Sequence, residues 1–256
     1  MIVSLPNAGI LTPVTFDAAS YVLVVTSGAA TDALTFGGSL AGDYFLAADG
    51  QADDAVALFE SMLNSNTGAV AYTVQVDGDG FLSISADGPF ALLWTHGSTT
   101  LDPALFGFTS ADVSSSANEL AAPNQCAGWW APGKPVGPDS REQQPIVGSV
   151  RATTTGRVKV TQIAVPKKTR TIGWQFLDKS HVLEEDEPAT RPTGSFEYHW
   201  VNSISAGDRV RYYVDTTART ASSYSLYRTE SLERPYVRSE RYRVLYDVTL
   251  KLREAS

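Results

Sequence analysis

The sequence has very little cysteine and histidine. Of its 256 residues, one is a cysteine, Cys126, so a disulfide within the chain and a thiolate metal site supplied by this chain alone are both excluded. Three histidines, His96, His181 and His199, are present, and no two of them have metal-ligand spacing. We therefore predict no metal, no cofactor and no oxidising compartment.

Long apolar runs are also missing. A typical run, residues 21–25, is far too short to span a bilayer. Residues 1–6 contain no basic segment ahead of an apolar core, so a secretion signal is not predicted. At 43% hydrophobic and 19% charged residues, the chain can still bury a sizeable core. We expect a soluble protein that folds in a cytoplasm and has no membrane partner.

Motifs that identify an enzyme are absent as well, including HExxH, the nucleophile elbow and glycine-rich phosphate loops. His96, Ser98 and Asp102 follow an apolar run and contain the residue types of a catalytic triad. Three residues within one short turn are difficult to arrange around an oxyanion hole. We predict a turn after a strand, no catalytic residues and no enzymatic activity, with Leu105 and Phe106 largely buried as a plug that closes the domain.

Basic residues are confined to one part of the chain. Residues 1–133, called here the first half, contain no Lys or Arg and 13 Asp and Glu. The second half, residues 134–256, carries all 20 basic residues and 15 acidic ones. The formal charges of −13 and +5 sum to the net charge of −8. Two fused modules of different composition would explain this, and so would assembly through opposite charges on two copies or partners.

The first half has the pattern of an α+β domain. An aspartate N-cap, Asp53 or Asp54, precedes apolar residues at helical spacing, and Gly68 ends the segment. The sequence DGDG at 77–80 predicts a hairpin turn. We predict one amphipathic helix beginning at Ala52 against a β meander, with strands at residues 21–25, 31–36, 42–47, 72–76, 81–85 and 90–94.

A segment rich in Pro, Gly and small polar residues, 110–145, separates the two patterns and disfavours helix. We predict an acidic domain at 1–115, a linker or arm at 116–147 and a basic domain at 148–256. Trp129 and Trp130 lie in the predicted linker, where two adjacent exposed tryptophans would be costly without a partner. They either pack under a domain or contact another chain, so both are interface candidates.

The second domain is predicted to be mainly β, an antiparallel sandwich or barrel. Its clearest strand is RYRVLYDVTLKLR, residues 241–253. Apolar and polar residues alternate along it with period two, which fits a half-buried strand and not a helix. Half-buried strands of this kind build antiparallel sheets.

Arginine and tyrosine are interleaved near the end of the chain. Such a basic face could indicate nucleic acid, but Glu233, Glu240 and Asp247 are mixed into it and the whole chain is acidic. We predict a protein–protein contact, for which Arg and Tyr are typical, and no specific nucleic-acid partner. The interface candidates in this segment are Arg234, Tyr236, Arg238, Arg241 and Arg243.

The order of the apolar segments carries a family resemblance. In the first half DDAVALFESML is followed by AYTVQVD, GFLSIS, FALLWTHG and LFGF, and RVRYYVD and RYRVLYDVTLKLRE close the chain. This order is similar to modules of virion structural proteins of tailed bacteriophages and other large DNA viruses, and the end resembles the closing strands of tail and baseplate proteins. The resemblance covers about half of the chain. It implies a non-enzymatic protein associated with a ring or tube, such as a distal tail protein.

From these features we predict a virion structural protein of the tail or baseplate, assembled in the host bacterial cytoplasm. Its partners would be further copies of itself, in a ring-like homo-oligomer, and other virion proteins. Rings use heterologous interfaces, which an acidic and a basic surface would suit. The alternative is a carbohydrate- or receptor-binding tail module that uses exposed aromatic residues, with an enzyme as the third choice.

Overall fold

The chain is mostly β-structure, as the sequence predicts. The computed structural model describes residues 8–37, 40–130, 132, 141–143, 148–152, 158–162, 167–182, 196–199, 208–217, 224–240 and 243–255. In the first half the strands are β1 Gly9–Leu11, β2 Val14–Phe16, β3 Tyr21–Ser27, β4 Ala30–Phe36, β5 Gly42–Tyr44, β6 Tyr72–Val76, β7 Phe81–Ala86, β8 Phe90–Leu93, β9 Val113–Ser114, β10 Glu119–Gln125 and β11 Trp129–Trp130. In the second half they are β12 Arg141–Gln143, β13 Gly148–Ala152, β14 Val158–Gln162, β15 Thr169–Asp178, β16 Val210–Tyr213, β17 Tyr224–Glu240 and β18 Arg243–Glu254. The helices are α1 Ala55–Leu63 and the single turn α2 Phe196–His199, with 3₁₀ turns at Pro103–Phe106 and Lys179–His181.

The strands pair in antiparallel fashion throughout the described part of the chain. The largest sheet has the order β11-β1-β16-β17-β18-β15-β12. The smaller sheets have the orders β4-β3-β8-β9, β10-β7-β6, β2-β5 and β13-β14. The largest sheet therefore combines strands from both ends of the chain.

Helix α1 lies in the predicted segment, but it begins at Ala55 and not at Ala52. Its N-cap is Asp54, one of the two candidates, whose side chain accepts a hydrogen bond from the backbone N–H of Val56. Its buried face packs into the first-half core, where Phe59 stacks on Phe106 with ring centroids 4.3 Å apart. Phe106 is fully buried, as predicted, whereas Leu105 is only half-buried, although it also packs against this core.

The DGDG segment forms the predicted hairpin turn between β6 and β7. Asp77 accepts hydrogen bonds from the backbone N–H groups of Asp79 and Phe81, both at 2.9 Å, so the side chain itself closes the turn. The predicted strand at 42–47 is shorter, because β5 ends at Tyr44 and the following residues enter a buried loop that leads to α1.

Part of the predicted linker is strand, which corrects that expectation. β10 pairs with β7 and β11 pairs with β1, although both lie within residues 116–147. Pro123 is tolerated in β10 because the register shifts between Ala121 and Gln125, where the regular ladder is interrupted. The local composition favours a linker, but strand pairing and the burial of the two tryptophans make these residues part of the sheets. The domain boundaries at 115 and 148 stay predictions.

The alternation predicted for the last strand agrees with the burial seen in β18. Val248, Leu250 and Leu252 are buried, whereas Lys251 and Arg253 on the opposite face are exposed. The buried face belongs to a second core, which also contains Ile172, Trp174 and Leu177 of β15.

Three strands of the large sheet, β11, β1 and β16, separate the two cores. On one face Leu11, Trp129 and Tyr213 belong to the first-half core. On the other face Ile10, Trp130 and Tyr212 belong to the second core. Every residue of these three strands is buried, because each strand is covered on both faces.

Candidate interface

The adjacent tryptophans Trp129 and Trp130 are buried within the chain, at 0% and 1% exposure. Successive strand residues point to opposite faces, so the two side chains enter different cores. The indole N–H of Trp129 donates to the carbonyl of Leu46 at 2.6 Å, and that of Trp130 donates to the carbonyl of His181 at 2.8 Å. Of the two predicted alternatives, the structure supports packing inside the protein. The other alternative, contact of these side chains with another chain, would need them to be exposed, and they are not.

A buried ion pair joins the two halves of the chain. Arg211 of β16 is fully buried and donates from Nη1 to Oδ2 of Asp49 at 2.6 Å and from Nη2 to Asp53. Its guanidinium also lies over the ring of Phe45, 4.2 Å from the centroid. Tyr213 donates its hydroxyl proton to the same oxygen of Asp49 at 2.9 Å. The opposite charges of the two halves therefore meet at least here within one chain.

The loop that receives Arg211 is organised by another carboxylate. Asp54 is fully buried, and its two oxygens accept four backbone hydrogen bonds. The donors are the N–H groups of Ala48, Asp49, Gly50 and Val56, at 2.8–3.2 Å. These bonds compensate the cost of burying the charge and fix the loop so that Asp49 faces β16.

Burial and charge shift the pKa values in this junction. Desolvation raises the pKa of Tyr213 well above its usual 10.0, and the neighbouring Asp49 raises it further because both would be anions. Desolvation alone would lower the pKa of Arg211, but Asp49, Tyr213 and Asp53 together raise it. Arg211 thus stays charged and Tyr213 stays neutral at physiological pH. The junction was not among the predicted residues, since Arg211 lies in an alternating strand where a charge is expected to face solvent.

The remaining interface candidates lie on the long hairpin of β17 and β18. Arg234, Tyr236 and Arg238 are in β17, and Arg243 begins β18. Arg241 lies outside the described residues. The backbone register places Tyr236 opposite Asp247 and Arg238 opposite Leu245. The structure therefore brings these candidates onto one strand pair.

Among the described strands, none pairs with one edge of this hairpin along much of its length. β16 pairs only with residues 224–227 of β17, whereas β18 follows β17 from Tyr227 to Glu240. β15 covers the other side of β18 as far as Leu245. Within the described part of the chain, no strand pairs with residues 231–240 on the side of β16. We call residues 231–240 the distal edge of β17.

The edge of the first-half sheet β10-β7-β6 is covered by side chains instead. Asn64 of the α1 C-cap accepts from the backbone N–H of Tyr72 at 2.8 Å and donates to its carbonyl at 3.0 Å. Glu60 accepts from the N–H of Val74 at 2.7 Å. The helix therefore satisfies backbone groups that another strand would otherwise use.

The outer face of the same small sheet is open and slightly concave, with a depression of about 300 Å³. Polar residues alternate along its strands, and the registers align Thr73 with Ser85 and Glu119, and Gln75 with Ser83. Glu119 and Asp87 lie at one end of the sheet and Asp77 and Asp79 at the other, all exposed. This face and its ends carry acidic groups without a basic residue from the first half.

The residues that suggested a triad do not come together as one. His96 and Ser98 are exposed in a turn, where the N–H of Ser98 donates to Nδ1 of His96 at 3.2 Å. Asp102 instead caps the 3₁₀ turn at Pro103–Phe106 by accepting from the N–H of Ala104 at 2.9 Å. In the described residues, no group of three or more His, Cys, Asp or Glu could hold a metal ion. No helix in the described ranges is long and apolar enough to cross a membrane.

Comparison with known proteins adds no relative. No protein family matches the chain, and no curated protein matches it.

Proposed function

We propose that the chain is a structural protein of a tailed-phage virion, located in the tail or baseplate, that assembles into a ring. The observation that carries the proposal is the separation of charge between the halves, together with the exposure of the acidic groups of the first half. Eight acidic side chains of the first half are exposed: Asp17, Asp43, Asp77, Asp79, Asp87, Asp102, Asp112 and Glu119. A ring repeats one contact between two different surfaces, for which an acidic and a basic surface on the same chain are suited.

The acidic surface of this contact would be the open face of the sheet β10-β7-β6. It has a shallow depression lined by Thr73, Gln75, Ser83 and Ser85 among others, and acidic groups lie at both of its ends. The basic surface would be the β17–β18 hairpin as a whole, residues 224–254, which includes Tyr236, Arg238 and Arg243 and carries seven Lys and Arg against five Asp and Glu. The buried Arg211 junction is separate from both, because its charges are already paired inside the chain.

The proposal includes the finer division of the fold. The first half would act as an acidic α+β unit, with α1 packed against β strands, and the second as a basic sandwich or barrel. The chain would act without enzymatic activity, with copies of itself and other virion proteins as partners. Assembly would take place in the host bacterial cytoplasm, before or during tail formation.

The carbohydrate-binding alternative loses its main support. It depended on exposed aromatic residues, above all Trp129 and Trp130, and both are buried. Trp94 and Trp174 are buried as well, at 6% and 0% exposure. The described tryptophans therefore offer no aromatic surface on which a sugar ring could stack.

Ring assembly is tested on the purified full chain by mass photometry and negative-stain microscopy. We expect closed particles of a fixed copy number that dissociate as the salt concentration rises, because exposed charges are screened. Glu119→Lys should weaken assembly, whereas Thr35→Lys, an exposed position on a different sheet, should not. A chain that stays monomeric at every salt and protein concentration contradicts the ring.

The location is tested separately with an antibody raised against the purified chain. On phage particles from the host culture that produces this protein, gold label is expected at the tail or baseplate. Label on the capsid alone, or absence of the chain from purified particles by mass spectrometry, would contradict a tail position.

A further inference from the structure

The large sheet carries a row of polar side chains across β17, β18, β15 and β12. The registers align Arg228 with Arg253, Arg253 with Thr169, and Thr169 with Gln143, and each of these pairs lies outside the register shifts of its ladder. Arg228, Arg253 and Gln143 are exposed. Directly paired residues of an antiparallel sheet point to the same face, so the four side chains form one line on the surface. We call these four residues the arginine row.

The two arginines of the row lie directly opposite one another on neighbouring strands. Like charges in this position are destabilising, and Lys251, exposed two residues along β18, adds a further positive charge to the same face. A guanidinium has five N–H donors in a planar fork that matches a carboxylate, so it can bind one from outside alongside contacts within its own chain. The arginine row therefore has the chemistry of a carboxylate-binding surface.

The exposed carboxylates of the first half differ in what they already bind. Six of them accept hydrogen bonds from their own chain: Asp17, Asp43, Asp77, Asp87, Asp102 and Asp112. In the described part of the chain, the side chains of Asp79 and Glu119 accept none. Glu119 lies on the open face of the sheet β10-β7-β6, in line with Ser85 and Thr73. Glu119 is thus a carboxylate available to a partner on a flat polar surface.

We infer that Glu119 of one copy binds Arg228 and Arg253 of a second copy, with its row Glu119-Ser85-Thr73 lying along the arginine row. The inference rests on the proposed ring and narrows its acidic and basic surfaces to these two rows. Each row crosses its sheet from strand to strand, so side chains in both repeat at about 4.8 Å. With the carboxylate between the two arginines, the hydroxyls that follow it come opposite Thr169 and Gln143.

A second copy is favoured over a nucleic acid by charge. The net charge of the chain is −8, and its first half carries 13 acidic and no basic residues. Such a molecule repels a polyanion at long range, whereas each copy presents both the acidic and the basic row to its neighbours.

Charge reversal in the purified full chain tests the pair, with sedimentation velocity as the measurement. Glu119→Arg and Arg253→Glu should each weaken association between copies by about tenfold or more, because each places like charges opposite one another. The double variant E119R/R253E should recover most of the wild-type association. Glu119→Gln, which removes the charge without reversing it, should weaken association less than Glu119→Arg.

Two exposed positions outside the rows provide matched controls, Asp79→Arg and Lys179→Glu. Asp79 lies in the turn before Phe81, at the other end of the sheet face from Glu119. Four residues of β7 separate Phe81 from the row of Glu119, or about 13 Å, beyond the screening length of about 8 Å at physiological salt. Lys179 follows the end of β15 that is remote from Thr169. Both controls should associate much as the wild-type chain does.

Mixing the two single variants tests whether the contact joins different copies. Each altered surface then meets its complement on the other chain, so a mixture of Glu119→Arg and Arg253→Glu should associate although neither variant does so alone. A contact within one chain would not be restored in this way. Association of the mixture no stronger than that of the single variants overturns the inference.

The remaining outcomes separate this inference from the ring itself. If the wild-type chain forms rings and the two variants associate as well as the controls, the inference is wrong and the ring stands. A wild-type chain that stays monomeric overturns both. If Arg253→Glu leaves association unchanged but abolishes binding of a labelled DNA duplex, the arginine row serves a nucleic acid and the inference is wrong.

Discussion

The outer edge of β6 and the distal edge of β17 differ in what covers them. At β6, side chains of α1 bind the backbone of Tyr72 and Val74, so the helix takes the place of a neighbouring strand. At β17, no described strand pairs with residues 231–240 on the open side. In the described part of the chain, one edge is thus covered by dedicated side chains and a longer one has no strand beside it. Edge strands otherwise expose a protein to unwanted pairing.

The comparison assumes that both edges belong to one folding unit, and Arg211 tests this most strongly. Arg211→Met removes the partner of the buried Asp49 and leaves that charge uncompensated. We expect the free energy of unfolding to fall by about 3–5 kcal/mol. Urea denaturation followed by tryptophan fluorescence measures it. Two separate transitions in the wild-type chain would show that the halves unfold independently. The two edges would then belong to different folding units and could not be compared as parts of one.

The covered edge can be opened at Asn64. Asn64→Ala removes the hydrogen bonds to the N–H and carbonyl of Tyr72 and one to the carbonyl of Glu60. The expected loss of stability is roughly 2–3 kcal/mol, at about 1 kcal/mol per bond. Ser61→Ala, exposed on the same helix, is the control and should stay close to wild type. Equal stability of both variants would mean that the helix does not guard this edge.

Glu60 provides a smaller and more specific opening. Glu60→Ala frees the N–H of Val74, at a cost of about 1–2 kcal/mol, and should add self-association through β6. Glu60→Gln keeps an acceptor oxygen in place and should stay near wild type in both respects. Thermal unfolding and sedimentation at several concentrations measure the two effects. If Glu60→Ala does not associate more than Glu60→Gln, the contrast between the two edges weakens.

The smallest effect concerns the pH dependence of the junction that holds the two halves together. The pKa of Tyr213 is raised in the folded protein, so its contribution to stability is complete below the unfolded value of about 10 and is lost as pH rises above it. Tyr213→Phe should cost about 1 kcal/mol at neutral pH, from the lost bond to Asp49. Its stability should then fall less steeply than wild type above pH 10. Identical slopes would exclude Tyr213 as a source of alkaline sensitivity.

Local patterns predicted much of the fold. The capped helix, the DGDG hairpin, the strand at β3 and the alternation of β18 all depend on neighbours in sequence, and all are found. The strand at β10 was missed because its pairing with β7 and its tolerated Pro123 depend on a register shift that composition does not reveal.

The interface candidates were predicted only in part. The interleaved Arg and Tyr of the hairpin stay a predicted interface, and whether Trp129 and Trp130 are exposed could not be decided from the linker-like sequence around them. Their burial depends on β1 and β16, which come from opposite ends of the chain. The Arg211–Asp49 pair was missed for the same reason, since neither residue differs locally from a solvent-exposed charge.

The position of β1 has a consequence for how the protein is made. Gly9 pairs with Tyr213, so the first strand lies between strands that leave the ribosome early and late. At 5–20 residues per second, β1 waits roughly 10–40 s for β16 to be synthesised. Contacts between residues so distant in sequence also slow folding. Until β16 has been made, β1 can pair only with β11. The second core then lacks the residues that β16 contributes to it. The nascent chain must therefore keep Ile10 and Trp130 from other partners until β16 has been synthesised.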